Sequence, residues 1–275
     1  GTTAIGFQSL KALTTGARNT ALGYQALEDL TIGDDNIAIG YLALNGASTT
    51  DGIDGNIAIG NYAGDAFGSA AVANTILIGH QAGSAINSDH ATNTICIGYQ
   101  AGTLITEAQG IVAIGSYALD ANSASDFNTG VGYKALSGVN STGTAGNTAV
   151  GYKSAEAITS GLQNTALGYL AGDAIVGGSY NVTIGANGGG GITTGAQNVA
   201  VGQGTMNATL TGNLNTAIGP LSFTYAIPLV SESYDKERKF VAVQVRFNKA
   251  LDKPVLLENI KKNSNLSNLS LIKQS

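Results

Sequence analysis

From Gly1 to Gly219 the chain repeats one short pattern of apolar and polar positions around a glycine. That glycine stands at Gly6, Gly23, Gly40, Gly60, Gly79, Gly98, Gly115, Gly132, Gly151, Gly168, Gly185, Gly202 and Gly219, with 17 residues between most neighbours and 19 or 20 in four cases. Three places before it the residue is always β-branched, as at Thr20, Ile37, Val112 and Thr165; one place before, it is always Ile, Leu or Val. The place between is Ala in nine repeats, and Gly130 or Cys96 in two more. Side chains alternate along a strand with period two, so the pattern predicts a short strand with one branched face and one bare face. A bare face suits close approach of another backbone.

A strand this short, recurring at nearly constant spacing, predicts a coil stacked on itself, one rung per repeat. Thirteen rungs make a rod of roughly 60 Å at the strand spacing. Asn stands four places before the glycine in nine repeats (Asn19, Asn36, Asn56, Asn128, Asn147, Asn164, Asn181, Asn198, Asn215), and stacked amides hydrogen-bond along such a ladder. In two repeats it stands one place earlier (Asn74, Asn93), which predicts a local bulge. An aromatic follows the glycine in seven repeats, and Tyr62 and Tyr117 stand one place later. The segment "GYQAL" reads as either a second strand or a short helical turn, between which its few residues do not decide. The remainder of each repeat is Gly, Asn, Asp, Ser and Thr, and the length changes fall there, on the outside of a coil. For the central glycine, a clash with a neighbouring backbone or a positive φ is expected.

The repeats "NIAIGNYAG", "IVAIGSYAL" and "NTAVGYKSA" resemble those in the heads of trimeric autotransporter adhesins. The longer "NTALGYQAL…TTGARNTALGY" resembles repeats of bacteriophage tail fibres and related bacterial fibre proteins. The resemblance covers residues 1–219 and implies a trimeric parallel β-roll. Three chains about one axis would also cover the bare Ala/Gly face, and closed symmetry is the rule for homo-oligomers. The expected fold is therefore all-β: a trimeric β-solenoid shaft over residues 1–219, followed by a small β-rich cap or tip over 220–275. The self-cleaving chaperone that ends many such fibres, with its "SDxRLK"-like start, is not evident here.

Composition divides the chain at the same place. All 39 glycines precede Pro220, and the three prolines, Pro220, Pro228 and Pro254, lie at or after it. Residues 1–219 carry a net charge of −9 and residues 220–275 one of +4. In the tail, Val241, Val243, Val245 and Phe247 alternate with Ala242, Gln244 and Arg246, which predicts a half-buried strand. Two more strands are read in "FTYAIPLV" and "PVLLENI", with the prolines at edges or strand starts. No apolar run reaches membrane-spanning length. The chain opens inside a repeat without Met and reads as a fragment.

Chemistry-bearing residues are few. Cys96 replaces a core alanine and is expected to be a buried, inert thiol. His80 takes an aromatic slot and His90 lies in a turn; neither has metal-ligand spacing. The acids five places after the glycine (Glu28, Asp65, Asp120, Glu156, Asp173) place only Glu156 and Asp173 on adjacent rungs, with no basic or His partner expected, too little for glycoside hydrolysis. "DGIDG" at Asp51–Gly55 lacks the ligand order of a calcium loop. The Tyr column is expected to pack rung on rung, the alternative being a sugar-stacking platform. Lys236, Arg238 and Lys239 read as a solvated turn, and a pI near 4.9 argues against nucleic acid.

The expected function is a non-enzymatic, extracellular fibre without cofactors that displays a receptor-binding tip to a bacterial surface glycan or outer-membrane component. A solenoid polysaccharide depolymerase is the alternative. An ice-binding solenoid is disfavoured because the Thr column is interrupted by Ile and Val, which fits a buried face.

Overall fold

The computed structural model describes residues 1–46, 53–68 and 71–219. These form a parallel β-solenoid. Its strands are β1 (Thr3–Ile5), β2 (Thr20–Leu22), β3 (Ile37–Ile39), β4 (Ile57–Ile59), β5 (Ile76–Ile78), β6 (Ile95–Ile97), β7 (Val112–Ile114), β8 (Ala124–Asp126), β9 (Thr129–Val131), β10 (Thr142–Thr144), β11 (Thr148–Val150), β12 (Thr165–Leu167), β13 (Val182–Ile184), β14 (Val199–Val201) and β15 (Thr216–Ile218). All but β8 and β10 stack in chain order as one 13-stranded sheet. The register is that of the repeat: Thr3 lies beside Thr20 and Ile37 beside Ile57, and Ile57, Ile76 and Ile95 remain aligned across longer repeats.

The central glycine has both expected constraints at once. Its φ is +138° at Gly151, and a Cβ there would lie 2.7 Å from the carbonyl carbon of Gly168 on the next rung. The sheet can keep its spacing at this column only without side chains.

The two strand faces are reversed relative to expectation. The bare face does not await another chain: Ala21, Ala38, Ala58, Ala113 and Ala149 are fully buried inside their own coil. The opposite wall is the equally buried Ala26, Ala43, Ala63, Ala82 and Ala101, three places after the glycine. A 17-residue turn encloses too little width for two branched side chains, so small residues meet inside. The branched residues point outward, partly exposed, with Leu22 at 43% and Leu167 at 46%.

Core volume is shared between two columns. Where the strand centre is Ala or Gly, the residue four places after the glycine is often a buried Leu (Leu27, Leu44, Leu119, Leu136). Where the centre is Leu77, Cys96 or Thr183, the facing positions are Gly64, Gly83, Gly102, Gly172 and Gly189. A Cβ on Gly83 would sit 2.7 Å from Leu77 Cδ2, and one on Gly172 2.8 Å from Thr183 Oγ1. Native interiors leave no room for both.

"GYQAL" is neither strand nor helix. Its third and fifth residues adopt left-handed φ, as at Gln25 (+54°) and Leu27 (+52°). That conformation costs a non-glycine residue about 1–2 kcal/mol. It is offset by bonds to both neighbouring rungs: the Gln25 N–H donates to the Phe7 carbonyl at 2.8 Å and the Leu27 N–H to that of Ala43 at 3.0 Å.

The amide ladder is present. Asn36 Nδ2 donates to Asn19 Oδ1 at 3.1 Å and Asn164 Nδ2 to Asn147 Oδ1 at 3.1 Å, while each also reaches a backbone carbonyl, Ile53 and Gly178 respectively. No bulge accompanies Asn74 or Asn93. Thr75 and Thr94 hold the ladder position, Thr75 Oγ1 donating to Asn56 Oδ1 at 2.8 Å. Asn74 and Asn93 occupy a neighbouring left-handed corner (φ +59° and +55°), where asparagine is well tolerated.

Two of the longer repeats show their insertions within the described residues. One adds a 3-10 turn, Asp89–Ala91; the other contains β10, which pairs in parallel with β8. The strands, cap and basic turn expected over 220–275 lie outside the described residues, as do Asp51 and Gly52 of "DGIDG".

Candidate functional site

Two lengthwise surfaces of the solenoid carry chemistry. The first joins the outward branched face to the aromatics just across the glycine. Ten rings form an unbroken ladder: Phe7, Tyr24, Tyr41, Tyr62, His80, Tyr99, Tyr117, Tyr133, Tyr152 and Tyr169, with neighbouring centroids 5.2–6.0 Å apart. The ladder packing is as expected, and His80 is one of its rings. Where neighbours stack, as from Phe7 to Tyr41 and from Tyr133 to Tyr169, the rings cover one another's faces. A pyranose ring needs an open face, so these stretches are poor sugar platforms. Tyr62 and Tyr117, one place later in their repeats, turn edge-on to their neighbours, and partial burial raises both phenols above the ordinary tyrosine range.

The second surface is the acid column. Two of its residues, Glu28 and Glu156, are tied into local pairs. Glu28 meets Lys11 at 3.1 Å and accepts from Gln25 and Asn45. Glu156 does have basic partners, contrary to expectation: Lys153 at 3.1 Å and Lys134 at 4.0 Å. Those lysines stand two places after their glycines, which brings them beside the acid column and 5.9 Å from the Tyr117, Tyr133 and Tyr152 ring centroids. Glu156 holds the Lys153 ammonium charged above the usual lysine range. Partial burial raises Asp65, Asp120 and Asp173 above the ordinary aspartate range. The charge of Glu156 adds to this at Asp173. A carboxylate paired with two ammonium groups is poorly placed to act as a free nucleophile or base.

One row of functional groups escaped the sequence reading. Six places before the glycine, a short polar side chain accepts the N–H of the preceding rung. Asp34 Oδ1 takes Ala17, Asp54 Oδ1 takes Asp34, Asp126 Oδ1 takes Gln109, Ser179 Oγ takes Leu162 and Asn213 Oδ1 takes Ala196, at 2.7–3.0 Å. Recurrence of Asp, Ser and Asn at that place was the available signal. Asp54 of "DGIDG" is thus occupied in holding the coil. Arg18 bridges Asp35 and Asp34 of the next rung, and its hydrogen bonds to Asp35, aided by its charge, lower that carboxyl below the usual range.

Cys96 is fully buried and its thiol is pushed up to about 12 by burial, the inert state expected. Among the described residues no three His, Cys, Asp or Glu side chains group to hold a metal, and no helix is long and apolar enough to cross a membrane. No family model, no curated protein and no solved structure matches the chain.

Proposed function

We propose that this chain is a segment of a homotrimeric extracellular fibre that displays a receptor-binding tip to a bacterial cell surface, as tail fibres and fibrous adhesins do. One observation carries the reading: branched side chains line the outer face of thirteen parallel strands with no covering element among the described residues. A column of Ile, Leu and Val and, roughly 7 Å from it, a β-branched column of Ile, Val and Thr continue side by side for about 60 Å, a face far longer than a solvated sheet needs. Further copies of the chain, aligned along one axis, would meet it with the same repeat. The partner surface is therefore the branched face rather than the alanine face.

A depolymerase is less well supported, because Glu156 is engaged with two lysines. The ice-binding alternative regains some ground, since the Thr column points outward; its Ile and Val interruptions still disfavour a regular hydroxyl lattice. Light scattering tests the proposal: a trimer is expected for the chain, and Ile76→Lys combined with Ile95→Lys shifts it to monomer. A monodisperse monomer of the unaltered chain at micromolar concentration sinks the proposal.

A further inference from the structure

Packing in the aromatic ladder does not require a hydroxyl, since Phe7 stacks on Tyr24 without one, yet eight of the ten rings are phenols. Two runs of tyrosine lie face to face. Tyr24 and Tyr41 have centroids 5.2 Å apart and planes 14° from parallel. Tyr133 and Tyr152 are 5.4 Å apart at 13°, and Tyr152 and Tyr169 5.2 Å apart at 9°. Each of the five stands in the first place after its central glycine, so the in-register strands give successive phenols one orientation. The ring carbon beside one hydroxyl then faces the matching carbon of the next ring. Tyr62 and Tyr117 enter from the following place, edge-on to their neighbours, and lack this alignment.

All five aligned tyrosines are exposed, Tyr169 at 53%, so a reagent in solution reaches them. Tyr180 supplies the contrast within the same coil. It is 52% exposed but stands in another column and belongs to no ring pair among the described residues. Exposure is matched; only the neighbouring phenol is missing.

We propose that the two tyrosine runs are sites of oxidative modification, at which a one-electron oxidant staples successive rungs through dityrosine. Two neighbouring phenols each give one electron to the oxidant and one proton to water, leaving two phenoxyl radicals. The ring carbons beside their oxygens join in a C–C bond. The hydrogen on each of those carbons then leaves as a proton and each oxygen takes one up, which restores both phenols. In all, two tyrosines lose two electrons and two protons, and two equivalents of oxidant are reduced. Surface side chains are free to tilt toward one another, and fixed neighbours couple within one chain faster than separate chains meet. The link closes a loop of 17 residues at Tyr24–Tyr41 or Tyr152–Tyr169 and restrains the unfolded chain as a disulfide does. Both partners of each link belong to one chain, so the chemistry does not rest on the fibre reading.

The test illuminates the full chain with tris(bipyridine)ruthenium(II) and persulfate, which generate the ruthenium(III) oxidant. Dityrosine fluorescence is expected in the single-chain band of a denaturing gel. Peptide mapping by mass spectrometry is expected to place the links at Tyr24–Tyr41, Tyr133–Tyr152 and Tyr152–Tyr169. The same mapping tells apart Tyr225 and Tyr234, which lie outside the described residues. Tyr152→Phe keeps the stacking, as Phe7 does, and so retains the fold; it is expected to lose both links of the second run and to keep Tyr24–Tyr41. Tyr180→Phe is expected to leave the pattern unchanged. The linked single-chain fraction is expected to unfold at a higher denaturant concentration than the untreated chain. No linked ladder peptides, links to Tyr180 as frequent as those within the runs, dityrosine only between chains, or an unchanged unfolding midpoint of the linked fraction overturns the staple.

Discussion

The rungs from Thr148 to Gly185 and those from Ile57 to Ile97 build the same backbone from different side chains. In the first group the Asn ladder runs unbroken through Asn147, Asn164 and Asn181. In the second, Thr75 and Thr94 replace asparagine, Leu77 and Cys96 replace the core alanine, and Gly64, Gly83 and Gly102 make room for them. Strand register does not change between the groups. The solenoid thus keeps a sum of volumes per rung and tolerates exchange of the residues that supply it, while the amide ladder itself gives way at Thr75, Thr94 and Ile111. Only the central glycine is not exchanged, because its limit is set by backbone against backbone.

That difference can be broken at its strongest point first. Gly151→Ala combines a contact that no side-chain movement can relieve with a φ unsuited to L-residues. It is expected to cost about 2–6 kcal/mol per chain by overpacking and strain together. Gly177→Ala, where only Ser160 Oγ at 3.4 Å is near and φ is not positive, should cost under about 1 kcal/mol. Chemical denaturation of the two variants measures this, and equal midpoints would refute the account of the repeat.

The volume exchange itself is sharpened by a double-mutant cycle. Leu77→Ala alone should cost about 2–5 kcal/mol as a cavity, and Gly83→Leu alone about 1–3 kcal/mol or more by overpacking. Together they recreate the arrangement of regular rungs, with a favourable coupling of about 0.5–3 kcal/mol. Additive losses would mean that the two columns do not share one space.

The smallest expected effect separates the inner from the outer acid groups. Asp120 is raised by partial burial, so its folded state binds a proton more readily than the unfolded chain. Stability is therefore lost as pH rises from the ordinary aspartate range through the raised value, and the loss persists above it. Asp120→Asn should raise the melting temperature slightly at neutral pH and leave it unchanged below about pH 3. Asp35, lowered by Arg18, has the opposite sign: its contribution is present above the ordinary aspartate range and fades as pH falls through the lowered value, so Asp35→Asn should lower the neutral-pH melting temperature.

Some site chemistry was legible because it is periodic. The aromatic ladder and the buried amides follow from one residue type returning at one place, since parallel in-register stacking turns sequence columns into contacts. The lysine partners of Glu156 were missed because they come from a different column, two places after the glycine. Column reading alone does not say which columns lie side by side around the coil.

By itself the sequence determined the positions of the thirteen strands of the main sheet, their parallel register and the backbone role of the central glycine, though not the added β8–β10 pair. Each follows from local alternation and constant spacing. It did not determine which strand face turns inward. Period-two alternation separates two faces but assigns neither to the core, and hydrophobicity pointed to the branched one. Tertiary structure decided that point. The coil closes within 17 residues, its opposite wall is alanine, and only the bare face fits between. Burial here was selected by the width of the space before the hydrophobicity of the side chain.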